Sequence, residues 1–385
     1  PRIFDFFVFL TFDDGEEPLV RLLTENPKRM RTWWRNGSTG AIVKSTTDEG
    51  EGISNPTTVY PDYRGYATGR SEHLSLLDTL NPMHRIWSDG RWLKLMLAHG
   101  CYWKKCAFCD THLDYIGRFA PSKASVIADQ MEAMSRESGG LRGFHFVDEA
   151  APPALLSALA DELLKRGMTG FSWWGNVRFD RAFTPTVCAK LAKAGCIALT
   201  GGLEVASDRL LKLMNKGVTF EQVARVTHAM SEAGIRVHCY LMYGFPTQTV
   251  AETVDSLERV RQLFAEGCIQ SAFWHRFSAT AHSGIGRAPH QLGIEIMEPD
   301  LPRGLRFARN DLPFRDPTPL ENGIDHDLLG IGLNRALYNY MQGVGLDLDV
   351  RQWFDVPGGR RGLGRRGLGK TRVPKNLVRT AMKIR

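Results

Sequence analysis

Helical stretches in the middle of this chain end in glycine, and each is followed at once by a short β-branched or aromatic run. This order constrains the fold more than any other feature. One helix is expected from about Lys123 to Glu137, closing at Gly139-Gly140 before "LRGFHFV". A second starts behind Pro152-Pro153, closes at Gly167 and leads into "GFSWW". A third takes Thr184 as N-cap and Pro185 as its first helical residue, then gives way at Gly195 to "CIALT". "TFEQ", a capping box from Thr219 to Gln222, opens a fourth that ends at Gly234 before "IRVHCYLMY". The fifth follows "TQT" and ends at Gly267 before "CIQSAFW". With "WLKLMLA" ahead of them, six strands alternate with helices. Such alternation implies parallel strands joined by right-handed crossovers. The strands are apolar almost throughout, as strands covered on both faces are. The expected class is α/β, either an open doubly wound sheet or an incomplete barrel.

Both architectures place chemistry at the carboxyl ends of their strands. What stands there is polar. A loop with three cysteines follows the first strand, Asp148 and Glu149 the second, Asn176 and Arg178 the third. Glu204 lies beyond the fourth, "YGFPTQT" beyond the fifth, and His275 and Arg276 end the sixth. A purely structural sheet has no need to gather such groups on one rim, so the pattern favours an enzyme.

The loop reads "HGCYWKKCAFCD", with Cys101, Cys106 and Cys109 spaced C-x4-C-x2-C. Two thiols make a disulfide and four close a zinc site, whereas three suit a metal centre with one position open. Iron–sulfur clusters favour cysteine thiolates, and three protein ligands on a four-iron cube leave one iron for a substrate or cofactor. Phe108 places an aromatic face beside the last thiol. Two alternatives stand beside this one. His112 completes a Cys3His set for a structural zinc, the staple of a nucleic-acid-binding module with a basic tail. Cys106 and Cys109 alone form a C-x-x-C redox pair. Cys196, Cys239 and Cys268 fall within apolar strands and read as small buried residues.

The bulk numbers agree with a packed protein: 385 residues, 43% hydrophobic and 24% charged. An odd count of 7 cysteines, three of them clustered, argues against a disulfide framework and for a reducing cytoplasm. No stretch approaches the roughly 20 apolar residues of a membrane span. "IFDFFVFLTF" is too short and contains Asp5, so it is expected as a buried strand. The absence of an initiating Met points to a processed chain or a fragment. Net charge is +7, and the tail from Gly358 carries ten Lys/Arg and no acid. It is expected as a solvated extension, with contact to nucleic acid as the alternative.

On these residues the chain resembles the radical S-adenosylmethionine (radical SAM) enzymes, from about Trp92 to Gly286. The cysteine triad with an aromatic before its last member follows the first of six strand–helix units. "FHFVDEA" is similar to the family's acidic motif, "GGLEVASDRLLKLMNKGVT" to its fourth-strand segment, and "MYGFPTQT" to its turn after the fifth strand. The resemblance implies a partial (β/α)6 TIM-like barrel with a [4Fe-4S] cluster on Cys101, Cys106 and Cys109, whose open iron chelates S-adenosylmethionine. It further implies that Asp148 and Glu149 anchor the methionyl ammonium and Arg178 the carboxylate. Glu204 is implied to bind the ribose hydroxyls, with Gly244 and Pro246 shaping the adenine edge. If these roles fail, Asp148 and Glu149 cap the helix at Pro152, and Glu204 pairs with Arg209 or Lys212. One electron would cleave the sulfonium and start radical chemistry, methylation or rearrangement, on an unknown substrate, with an electron donor such as flavodoxin or ferredoxin.

More narrowly, "FDFFVFLTFDDGEEPLVRLL" and "WSDGRWLKLMLAHGCYWKKCAFCDTHLDY" resemble the branch in which a cobalamin-binding domain precedes the barrel. The expected layout is a remnant of that α/β domain over 1–25 and a connector over 26–85. The barrel follows over 86–290, then a mainly helical region over 291–350 and the basic tail over 351–385. Two departures stand out. The family's triad is C-x3-C-x2-C, one residue shorter, and the D-x-H-x-x-G cobalamin motif is absent. "DTHLDYIG" begins like it but lacks Gly at the sixth place.

Overall fold

The computed structural model describes residues 2–11, 16–24, 32–45, 60–62, 81, 83, 92–298, 310–318, 324–355 and 368–383. Its centre is one sheet of six parallel strands: β1 (Trp92–Leu95), β2 (Gly143–Phe146), β3 (Ser172–Val177), β4 (Cys196–Glu204), β5 (Arg236–Tyr243) and β6 (Ser271–Arg276). Spatial order follows chain order from β1 to β6. Helices α1 (Ala124–Glu137), α2 (Pro153–Lys165), α3 (Pro185–Lys193), α4 (Asp208–Leu213), α5 (Phe220–Glu232) and α6 (Val250–Ala265) run between the strands. This is the expected partial (β/α)6 barrel, with β4 and β5 linked by two helices.

The helix starts follow their sequence signals. Thr184 accepts from Val187 N, and Thr219 from Gln222 N. Thr249 and Glu252 make a reciprocal capping box at α6. Side chains of the strands divide by period two. Leu93, Leu95, Phe144, Phe146 and Trp173 face the helices and join Ile127, Met131, Leu159 and Leu163 in one core. Burial of each such side chain stabilises the fold by about 1.5–3 kcal/mol.

The other face is aromatic and polar. Lys94, His145 and Trp174 are cross-strand partners. Lys94 Nζ lies 2.9 Å from His145 Nδ1, and the imidazole stacks on Trp174 at 3.5 Å between centroids. Met83 packs under this layer, fully buried against Trp174 and Ala198.

The flanks correct several expectations. "IFDFFVFLTF" is no buried strand: Arg2–Asp5 is a 3-10 turn, only Phe9–Thr11 is extended, and Phe6, Phe7 and Val8 are 59–68% exposed. Phe9–Thr11 pairs antiparallel with Thr32–Arg35, which pairs with Ile42–Lys44. A hairpin thus lies inside the supposed connector. Its turn is local: Asn36 Oδ1 accepts from Ser38 N and Thr39 N, and Gly40 takes φ +66°. Antiparallel neighbours need only such a turn, whereas parallel ones need a crossover. The rest of the connector lies largely outside the described residues.

Beyond the barrel stand helix α7 (His326–Met341) and two pairs of two-residue strands. The tail is also corrected over 368–383. Leu368, Val373, Val378 and Ala381 are buried, and helix α8 (Leu377–Lys383) packs on α5 and α6. Gln262 of α6 fixes it by donating to Pro374 O and accepting from Val378 N. Residues 356–367, with the doubled "RRGLG", lie outside the described residues. No helix among the described residues is long and apolar enough to cross a membrane.

Candidate active site

β1 ends at Leu95, and the chain turns into the cysteine loop through Gly100 at φ +70°. A Cβ there would sit 1.9 Å from Arg118 O, so only glycine serves. The loop is tied at both ends: Cys101 N donates to Ile116 O at 3.1 Å, and Ala107 N to Met214 O at 2.9 Å. Trp103 Nε1 donates to Asn215 O at 2.8 Å. Gly217, at φ +73°, makes room for the Trp103 ring, which a Cβ would meet at 2.0 Å. The segment after α4 is thus a cradle for the loop.

The loop closes over a cavity of about 350 Å³ at the carboxyl ends of the strands. Cys101, Cys106, Cys109 and Phe108 line it. So do Glu149 after β2, Asn176 and Arg178 at the end of β3, and Gly202 and Glu204 of β4. Sequence reasoning missed Thr200, Lys216 and Tyr240, which also line it. Lys216 has a faint signal, a lone lysine between two residues with left-handed backbone, Asn215 at φ +52° and Gly217 at φ +73°.

Two buried cations set the electrostatics. Lys216 Nζ contacts Glu204 Oε1 at 2.5 Å, with both side chains under a tenth exposed. Burial opposes the ammonium, but the Glu204 and Cys106 charges keep its pKa above the ordinary lysine value. Glu204 itself stands at φ +60°, a strained conformation for a residue with a Cβ. Gly202 clears the space, since a Cβ there would lie 2.1 Å from Glu204 Oε1. Arg178 donates to Lys216 O, lies 3.7 Å from Cys106 Sγ, and stacks 4.5 Å from the Trp103 ring. The Cys106 thiol is drawn down to about 6, first by a hydrogen bond with Cys109, then by Lys216 and Arg178, against the effect of burial.

Several expected contacts are placed differently. Asp148 does not line the cavity, and its carboxylate accepts from Leu97 N and Ala98 N at 2.7–3.2 Å. It braces the chain between β1 and the loop, and burial raises its pKa to about 7. Neither Asp148 nor Glu149 caps α2, whose N-cap Pro152 has no side-chain cap bond. Glu204 pairs with neither Arg209, which is bound to Glu252, nor the exposed Lys212. Gly244, at φ +73°, and the buried Pro246 shape the turn after β5, where Gly244 N donates to Gln248 Oε1. Gly244 borders a neighbouring recess with Arg276 and His326, outside the thiol cavity.

The zinc alternative has no support. His112 is exposed and does not line the cavity. No group of three or more His, Cys, Asp or Glu among the described residues converges as a single metal ion requires. An iron–sulfur cluster takes thiolate donors at separate corners, and the donor set that lines this cavity, Cys101, Cys106 and Cys109, has that chemistry. The remaining walls carry buried polar atoms without a partner among the described residues, Thr200 Oγ1 and Arg178 Nε. Such atoms are costly unless a ligand satisfies them. Cys196, Cys239 and Cys268 are buried, as expected.

Residues 95–260 match the Radical SAM superfamily. That stretch of the chain carries the sequence pattern of the superfamily. A curated relative, an uncharacterized methyltransferase of Pyrococcus horikoshii, is 24% identical over 186 residues, 48% of this chain and 40% of that one. The chain spans less than half the length of the curated relatives it matches. Among solved structures, the radical S-adenosylmethionine methyltransferase TsrM of Kitasatospora setae, with cobalamin and a [4Fe-4S] cluster bound, has a TM-score of 0.55. It is 16% identical, and the match covers 90% of this chain and 76% of that one. The cobalamin-dependent S-adenosylmethionine radical enzyme OxsB has a TM-score of 0.57 at 14% identity, covering 85% and 50%. These two share the fold.

Proposed function

We propose that the protein uses a [4Fe-4S] cluster and S-adenosylmethionine for radical chemistry, with methyl transfer as the reaction class. The observation that carries this reading is the shared cavity: three thiols line it together with Glu149, Arg178 and the Glu204–Lys216 pair. When bound, the cluster supplies the single electron that splits the sulfonium. Everything else is done by the chain. Cys101, Cys106 and Cys109 hold the cluster, and Phe108 shields it. Glu149 accepts hydrogen bonds from the methionyl ammonium, a role now left to it alone because Asp148 is spent on backbone. Arg178 takes the carboxylate, and Glu204, oriented by Lys216, accepts from ribose hydroxyls. Gly244 and Pro246, whose turn after β5 lies outside the thiol cavity, would reach the adenine only at its outer edge.

Methyl transfer is favoured over rearrangement because a curated relative and the TsrM neighbour carry that name. Cobalamin is not part of the reading for these residues. "DTHLDYIG" occupies the exit of the cysteine loop, where Asp110 is hydrogen-bonded to Thr280 and His112 is exposed. After anaerobic reconstitution the protein should hold iron and sulfide in equal amounts with broad visible absorbance. On reduction it should release 5′-deoxyadenosine or transfer a labelled methyl group. Stoichiometric zinc without sulfide would sink the proposal.

A further inference from the structure

Cys106 has two sides. Together with Lys104 it borders the thiol cavity, and it also borders a larger recess of about 700 Å³ on the outer face of the cysteine loop. That recess is lined by Trp103, Lys104, Lys105 and Lys212, with Ile285 and Leu292 opposite. Among the described residues no carboxylate lines it. The three lysines are exposed, and none is ion-paired with an acid among the described residues. Lys104 donates to the neutral Gly117 O at 3.0 Å, and Lys105 lies 5.2 Å over the Trp103 ring. Among the described residues their charge is therefore uncompensated, and it lines one recess with Ile285, Leu292 and a thiol.

From this juxtaposition we propose that the outer recess is the docking face for an acidic one-electron carrier protein. The inference rests on the reading that Cys106 holds a cluster. Such a cluster needs an electron from outside. One electron passes in, so the carrier is oxidised by one electron and the cluster reduced by one, with no bond made or broken. Electron transfer demands a short path, and Cys106 is the thiol that borders both the outer recess and the thiol cavity. Arg178, touching both Cys106 Sγ and the Trp103 ring, fills the remaining gap with packed atoms. Lysines sharing a recess with apolar side chains match a carrier whose exposed cofactor edge is ringed by carboxylates. Opposite charge steers such pairs into register and speeds their encounter 10–1,000-fold or so at low ionic strength. Nucleic acid also seeks lysines, but gains nothing from a recess backed by a thiol.

Charge reversal tests the proposal on the full chain. Lys105→Glu/Lys212→Glu and Lys212→Glu alone are compared with the wild type, with an acidic flavodoxin and an acidic ferredoxin as probes. Lys212 lies on α4, off the cysteine loop, so its variant leaves the cluster ligands undisturbed. Carrier binding is measured on cluster-free and reconstituted protein, and turnover is driven either by reduced carrier or by dithionite. The expected result is a loss of about 10-fold or more in carrier affinity and carrier-driven rate for the double variant, with a smaller loss for Lys212→Glu. Iron content and the dithionite-driven rate should be unchanged, and the difference should fade at high salt. Flavodoxin and ferredoxin arms show which carrier type is preferred. Unchanged affinity for both carriers, or lost RNA binding with carrier-driven turnover intact, overturns the docking face. Failure of the wild type with dithionite sinks the cluster reading instead, and carrier binding to cluster-free protein still judges the recess.

Discussion

Lys216 Nζ lies 2.5 Å from Glu204 Oε1, and this pair is withdrawn from water at the end of β4, under Phe108 of the cysteine loop. Two charges in such a place are held by each other. Removing one partner leaves the other buried and uncompensated, which costs about 3–5 kcal/mol. Lys216→Met should lower stability by that amount in a denaturant titration. The double variant Lys216→Met/Glu204→Leu should recover a substantial part of it, because no orphan charge remains. Additive losses would mean that the contact does not carry the coupling.

The three thiols line one cavity, so each should matter to the same bound group. Cys101→Ala, Cys106→Ala and Cys109→Ala are each expected to abolish cluster retention and the release of 5′-deoxyadenosine. Cys196→Ala, in a strand far from the cavity wall, should retain both. Cys106→Ala protein that still forms 5′-deoxyadenosine would show the ligand assignment to be wrong.

Gly217 tests the cradle. Its φ of +73° and the 2.0 Å approach of Trp103 both exclude a side chain. Gly217→Ala should cost about 1 kcal/mol or more from backbone conformation alone. The displaced indole should appear as a shift in tryptophan emission relative to the wild type. Adding Trp103→Leu should restore part of the stability by removing the clash, while the φ cost stays.

His145 predicts an acid-side dependence. Burial first, and the Lys94 ammonium second, pull its pKa down to about 3. The unfolded imidazole takes up a proton below about pH 6.5, whereas the folded one stays neutral until much lower. The site's stability is therefore whole above about pH 6.5 and is lost as pH falls toward 3. Between about pH 7 and pH 5 the thermal midpoint of wild type should fall more steeply than that of His145→Phe. Parallel profiles would refute the sign.

Much of this molecule is legible in the chain because its signals are local. Thr184 before Pro185, Thr249 three residues before Glu252, and glycines after each helix fix element ends through hydrogen bonds within one turn. Apolar strands separated by helices then leave few ways to arrange six parallel strands. The same locality explains the misplacements. Nothing near Asp148 in sequence says that its oxygens will meet Leu97 N and Ala98 N. The phenylalanines near the start look like core because their composition is apolar, yet core membership depends on what lies across from them.

By itself, the sequence determined the order of strands and helices, the rim on which polar groups gather, and the three cysteines of one loop. Those follow from short-range rules of backbone geometry and side-chain period. Only the tertiary structure decided that Lys216 neutralises Glu204, that Trp103 seats over Gly217, and that one thiol borders both an inner cavity and a lysine-lined recess. Each of these joins residues far apart in the chain, and such contacts are chosen by packing and desolvation, which no local pattern records.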